Sequence, residues 1–396
     1  MKMKVKKIEN KFIDLIENRI DIIIFCAVLI LSLLIRVFFI KYKSADYKLF
    51  LKPWFYELKD GGGLKALANY PGDYNAPYMT VLALLTYIKV NPLISIKCFS
   101  ILFDYILAIL AGLFVYDVKK DSKNRKTYFV VSFCLMLFSP TILLNGSLWA
   151  QCDVIYTTFL VLAFYLLYKD KNTMSFISLG LAFSFKLQFI FIIPVFIILY
   201  FRKKNFSILN FLIIPITNIV LCIPAIIAGK PILECLTVYL RQTSTYNSLT
   251  LNFPNIYEIF NGNIDYLSKF GMMMVIILFI LMFYFCIKKK IKFNLEKTIL
   301  LAIWSIVICV FFLPCMHERY MFAADVFSIL YFLLYGKKAI YMIIINFISL
   351  LSYFRFLFGD YILPGYLVSI VFFCLIVHFT IELKNKLNDR ELKDEK

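Results

Sequence analysis

Three ionisable residues, His317, Glu318 and Arg319, stand in a row between two apolar runs, in FLPCMHERYMF. A short turn can carry one such residue as ordinary surface, but three together in a greasy chain suggest a site. Arginine suits two-pronged contact with phosphate oxygens. A second cluster, NGSLWAQCD, sets Asn145, Gln151 and Asp153 beside Trp149. Its plainer reading is an interfacial aromatic anchor plus a helix cap. Lys186 and Gln188, in FSFKLQF, lie inside the otherwise apolar stretch Met174–Tyr200. A lysine there must snorkel, pair or meet an anion.

Two further acids, Asp46 and Asp73, lie in KYKSADYKLFLKPWFYELKDGGGLKALANYPGDYNAPYM. After Asp46, apolar residues recur at Leu49, Phe50, Trp54, Phe55 and Leu58. That is helical spacing, and such a helix can lie on a membrane surface. Pro53 kinks it or marks a later start, and Gly61–Gly63 end it. Asp46 at its start is either an N-cap or a catalytic base. Asp73, just ahead of Tyr74-Asn75-Ala76-Pro77, reads as a turn residue. Gly-rich phosphate loops, Ser/His/Asp arrangements and C-x-x-C metal spacings are missing from the sequence.

The elements that must hold these groups follow from composition. Of 396 residues, 62% are hydrophobic and 17% charged. Soluble chains carry about half apolar and about a quarter charged residues, so a soluble globule, a disordered chain and a disulfide scaffold are excluded. A crossing helix needs about 20 apolar residues. Expected crossings are Asp21–Ile40, Ile94–Tyr116, Thr127–Asn145, Val154–Tyr168, Phe206–Ala228, Phe270–Ile287, Thr298–Leu313, Tyr320–Tyr335, Ala339–Phe358 and Leu367–Ile381. Met174–Tyr200 adds two short helices that break near Lys186. Tyr78–Lys89 is read as interfacial or re-entrant.

That makes an all-α, polytopic helical membrane protein with about 12 crossings and a first outer loop, 41–77, carrying amphipathic surface helices. Residues 229–269 form a second long outer loop. The segment 1–20 and the tail 383–396 are cytoplasmic, so both termini lie inside. The net charge of +18 reflects basic inner loops rather than a nucleic-acid partner. Most of the ten cysteines sit in apolar runs (Cys26, Cys98, Cys134, Cys222, Cys286, Cys309 and Cys374) and read as small buried hydrophobes.

In this topology nearly all the polar groups named above reach the outer side. Their pattern resembles bacterial relatives of the mannosyltransferase that adds the second mannose in glycosylphosphatidylinositol assembly, which belong to the GT-C class of integral-membrane glycosyltransferases. The resemblance runs from about Ser44 to Tyr320. It rests on S-x-D-Y…F-L-x-P-W (Ser44 to Trp54), D-Y-x-x-P-Y (Asp73 to Tyr78), W-x-Q-x-D-x-x-Y (Trp149 to Tyr156), F-K-x-Q (Phe185 to Gln188) and M-H-E-R-Y (Met316 to Tyr320). The chain departs from the pattern at Ala45 and Ala150, where glycine is expected, and at Ala76, where proline is.

The resemblance implies a single transmembrane glycosyltransferase domain over 1–396. It would move a mannosyl or other hexosyl unit from a polyprenyl-phosphate donor to a lipid-linked or glycan acceptor on the outer face of the cell membrane. Asp46 is then the catalytic base of an inverting displacement, and Arg319, His317, Lys186 and Gln188 meet the donor phosphate. Asp73, Trp149, Gln151, Asp153 and Glu318 serve the acceptor or support the site. No cofactor is required, although Asp73 and Asp153 could hold a divalent metal. The rivals are a transporter or flippase of lipid-linked sugars and an inactive scaffold for polysaccharide assembly.

Overall fold

The computed structural model describes residues 6, 9–11, 13–14, 17–70, 72–242, 248–260 and 262–389. Parts of the expected inner segments 1–20 and 383–396, and of the loop 229–269, therefore lie outside the described residues. The described chain is an all-α, multi-pass membrane protein. Its strands are two residues each: β1 (Thr250–Leu251) and β2 (Met316–His317), paired in parallel.

Seven helices are long and apolar enough to cross a membrane. They are α1 (Ile20–Phe39), α4 (Pro92–Val118), α10 (Asn210–Ala228), α12 (Ile264–Lys288), α13 (Leu295–Phe312), α15 (Ala339–Phe358) and α16 (Gly365–Asn388). A bent pair, α5 (Arg125–Phe138) with α6 (Pro140–Leu143) and its continuation to Leu148, can count as an eighth. Shorter apolar helices are α3 (Ala76–Leu85), α7 (Asp153–Tyr168), α8 (Asn172–Phe185) and α14 (Phe322–Tyr335). The remaining helices are α2 (Lys52–Asp60), α9 (Ile193–Lys203) and α11 (Ile232–Gln242).

The bundle is layered around α13, which is 94% buried along its span, whereas α1 is 11% buried and faces outward over most of its surface. α13 packs on α14 and α16, and a second group forms around α4, α5, α7 and α8. Small residues allow close approach where lipid gives helices no hydrophobic reason to associate. A β-carbon on Gly180 in α8, for example, would meet the Thr217 side chain of α10 at 2.5 Å.

The structure corrects several expectations. Thr127–Asn145 is not one helix. Ser139 is extended (φ −57°, ψ 122°) ahead of Pro140, and the two halves bend by 54°. Proline lacks the N–H and crowds the preceding residue out of the helical region. The bend carries Asn145 into a π-helical turn, Leu144–Leu148, and buries it. Cys26, Cys98 and Cys374 are exposed on outward helix faces rather than buried. Tyr78–Lys89, read as interfacial or re-entrant, forms a helix only from Ala76 to Leu85, with Tyr78, Met79 and Leu82 buried in protein.

Other expectations agree with the coordinates. The helix after Asp46 ends at Gly61, and Gly62 and Gly63 take left-handed φ values of 88° and 67° that only glycine adopts without strain. The break near Lys186 is present: α8 stops at Phe185, Lys186 is extended (φ −150°, ψ 139°), and a 3-10 turn leads into α9. A feature missed in the sequence is a fully buried ion pair, Arg36 to Asp104 at 3.0 Å. Arg36 also donates to the Leu137 carbonyl, so it ties α1 to α4 and to the end of α5.

Candidate functional site

The helix carrying Asp46 begins at Ala45 and widens into a π-helical stretch over Tyr47–Leu51 before α2. Ser44, not Asp46, caps it: Ser44 Oγ accepts from the Tyr47 N–H at 3.2 Å and donates to the Trp149 carbonyl at 2.7 Å. The Asp46 side chain makes no cap bond, so the capping reading of Asp46 is withdrawn. Its Oδ2 instead accepts from Trp149 Nε1 at 2.9 Å and Gln151 Nε2 at 2.5 Å. Trp149 is wholly buried, against Tyr353 and Phe356, which overturns its reading as an interfacial anchor.

Asp153 opens α7 and is fully buried. Its Oδ1 meets Lys186 Nζ at 2.5 Å and its Oδ2 accepts from Asn145 Nδ2 at 3.0 Å. The helix break explains Lys186. An extended residue turns the side chain off the helix axis and toward a carboxylate, which relieves the cost of a charge inside the bundle. Asn145 also reaches Tyr353 Oη at 3.4 Å.

Arg319 joins the two acids. It lies 3.6 Å from Asp46, 3.8 Å from Asp153 and 2.6 Å from Glu318, and its guanidinium sits 5.6 Å from the centre of the Trp149 ring. The loop bearing it is anchored by β2, whose partner β1 belongs to the second long loop. His317 lies 3.7 Å from Glu318. Arg319 Nε is buried without a hydrogen-bond partner, so it has capacity left for a ligand.

Eight of the ten predicted residues therefore meet in one connected cluster drawn from four distant stretches: Asp46, Trp149, Gln151, Asp153, Lys186, His317, Glu318 and Arg319. Gln188 is buried but makes none of these contacts. Asp73 does not join them. It is exposed, and its backbone carbonyl accepts a hydrogen bond from Gln242. Among the described residues no three His, Cys, Asp or Glu side chains are grouped as a metal site.

Tyr74, beside Asp73, does belong. Its hydroxyl donates to Gln151 Oε1 at 3.3 Å, and burial keeps its ionisation well above the ordinary phenol range. Ser44 and Tyr353 were also passed over. Ser44 stands two residues before Asp46, where its signal was present; Tyr353, in an apolar helix, had none.

Burial holds the His317 imidazole below its ordinary value of 6.5, despite Glu318 beside it. Burial pushes the Glu318 carboxyl up, but His317 and Arg319 outweigh it and the net shift is downward from 4.5. His317 is thus neutral at pH 7, and it offers a hydrogen bond rather than a charge. Below 6.5 the unfolded chain takes up a proton at His317 that the folded site resists. The stability this provides is complete above that pH and falls as pH drops toward the lowered folded value. Glu318 acts in the same direction below 4.5. Thermal unfolding of the wild type is expected to weaken between pH 7.5 and 5.5 more steeply than that of His317→Gln; equal slopes would remove His317 as the cause.

Ala150 holds φ at +70°, between Trp149 and Gln151. A side-chain-bearing residue there costs about 1–2 kcal/mol, which gives a physical reason for the glycine the motif leads one to expect. Ala150→Gly is expected to raise stability by up to about 1 kcal/mol in an unfolding titration. At Ala76 the Asn75 side chain accepts from the Ala76 N–H at 2.8 Å, a bond that proline would remove.

No protein-family model matches the chain, and no curated protein matches it.

Proposed function

We propose that the chain is a GT-C-like membrane glycosyltransferase that moves a hexosyl unit, mannose being the first candidate, from a polyprenyl phosphate to a lipid-linked or glycan acceptor. The observation that carries this reading is the Asp46 carboxylate. It is held by Trp149 and Gln151 and stands 3.6 Å from an arginine that retains an unpartnered N–H.

The reading counts 12 crossings: α1, α4, the bent α5–α6 pair, α7, α8, the 187–203 segment, α10 and α12 through α16. The shorter helices cross as partners of the long ones, and α3 does not cross. Chain alternation then gathers residues 40–70, 72–91, 144–153, 186, 229–242, 248–260, 313–321 and 359–364 at one end. The basic stretches Lys119–Lys126, Lys169–Lys171, Arg202–Lys204, Lys288–Lys292 and Lys337–Lys338 collect at the other. The excess of Lys and Arg marks that second end as cytoplasmic, so the cluster faces outward and both termini lie inside.

The charges suggest how the reaction proceeds. Asp46, Asp153 and Glu318 carry three negative charges against two on Lys186 and Arg319. A lipid phosphate cannot simply be added; it must take Arg319 or Lys186 from a carboxylate. Withdrawing Arg319 from Asp46 leaves that carboxylate free to meet the acceptor hydroxyl as the donor arrives. Asp46 then accepts the proton of the acceptor hydroxyl as it attacks the anomeric carbon. The bond to the phosphate oxygen breaks in the same displacement, configuration inverts, and Arg319 and Lys186 hold the released phosphate in a water-poor setting. Asp153 and Glu318 orient the two cations.

The test is transfer by the purified full-length protein, given radiolabelled polyprenyl-phosphate mannose and a panel of lipid-linked acceptors, with and without EDTA. Labelled product is expected under both conditions. Label that crosses the membrane without forming a new glycosidic bond would instead favour a flippase. Cysteine labelling of the loop at Asp46 from the cytoplasmic side alone would overturn the outward placement.

A further inference from the structure

Asp325 plays no part in the mechanism above, and its surroundings need an explanation. It lies in the first turn of α14, six residues beyond Arg319, and is fully buried. Its Oδ1 accepts from Ser349 Oγ of α15 at 2.8 Å, while its Oδ2 meets no hydrogen-bond partner in the protein. None of the ion pairs among the described residues includes it. An isolated carboxylate inside a membrane bundle is costly and is a functional candidate by default.

The orphaned oxygen has company. Ser352 Oγ, one helical turn beyond Ser349 on α15, is buried without a partner, as is Asn145 Oδ1. α14 packs against both α15 and α7. Ser349, Ser352 and Tyr353 lie on neighbouring turns of α15, and Asn145 donates to Tyr353 Oη. Buried polar atoms are nearly always satisfied, so these orphans around one acid point to something that binds oxygens.

We propose that Asp325, with Ser349, Ser352 and Asn145, forms a binding site for one alkali-metal cation below the charged cluster. The donor set fits this class. Hard cations take oxygen ligands, and divalent sites gather several carboxylates; here one carboxylate is joined by hydroxyl and amide oxygens, which matches a single positive charge. The ion would also offset the excess negative charge, since Asp325 makes four acids against Lys186 and Arg319. The site does not depend on the reaction proposed above, because it uses none of the groups assigned to chemistry.

The experiment compares thermal unfolding of the full-length protein in nanodiscs in NaCl, KCl and choline chloride at constant ionic strength, together with equilibrium binding of radioactive sodium. A saturable rise in Tm with Na+ or K+ but not choline is expected, with one ion bound per chain. Asp325→Asn should abolish both signals. Ser349→Ala, a milder change that keeps the fold readable if Asp325→Asn does not, should raise the half-saturating cation concentration at least tenfold. Identical Tm in all three salts, or a cation response unchanged in Ser349→Ala and Asp325→Asn, would overturn the site and leave Asp325 a protonated acid hydrogen-bonded within the bundle.

Discussion

Asp46→Asn is expected to lower the turnover of the proposed glycosyl transfer about 10²–10⁴-fold, the usual worth of a positioned general base, while donor and acceptor KM change by less than about threefold. The substitution keeps the shape of the side chain, and an asparagine oxygen can still accept from Trp149 Nε1 or Gln151 Nε2. What it removes is the capacity to take a proton and the negative charge 3.6 Å from Arg319. These two losses can be separated. If Asp46 served only to orient Arg319, the variant would lose donor affinity and keep turnover at saturating donor. If it is the base, turnover falls and donor binding holds or tightens, because Arg319 is released from a competitor. A fully active Asp46→Asn would remove the residue from the base role. An unchanged unfolding temperature is the control that the cluster remains assembled.

Much of this was legible in the sequence, for definable reasons. Long apolar runs specify crossings because hydrocarbon leaves the backbone no other partner. Charges in or beside such runs are rare enough that Lys186 and Arg319 stand out in the sequence, whereas Asp153 reads there as part of a helix cap. The break at Lys186 was also readable, since basic flanks on both sides of one stretch require the chain to turn back. The bend at Pro140 was not read, although the proline was visible, because the apolar pattern continues across it. Residues whose partners are distant left no local trace. Arg36 and Asp104 are 68 positions apart and become a pair only when α1 meets α4. Asp73 is the opposite case: its neighbours read as a turn and only the resemblance gave it a supporting role; the helix after it is capped by Asn75 and the acid remains in solvent.

Lys186→Met is expected to destabilise the protein by about 3–5 kcal/mol, the cost of leaving one member of a buried ion pair without its partner. Asp153 is fully buried, and Lys186 Nζ at 2.5 Å is its closest cation. Arg319 stands 3.8 Å away and is engaged by Glu318 at 2.6 Å, so it compensates only in part. Asn145 donates one hydrogen bond to Asp153 and carries no charge. Adding Asp153→Asn to Lys186→Met should recover most of the lost stability, because a neutral amide beside a thioether leaves no buried charge without a partner. Transfer activity should stay low in the double variant, since the cation proposed to meet the donor phosphate is still missing. The cycle of single and double variants, read by reversible unfolding in mixed micelles, gives the coupling energy directly. A coupling near zero would mean that the two groups are solvated in the native bilayer. The cluster would then be an open polar surface, with no low-dielectric site in which a lipid phosphate could be stabilised. A large coupling combined with lost transfer would tie the stability of this corner of the bundle to its chemistry.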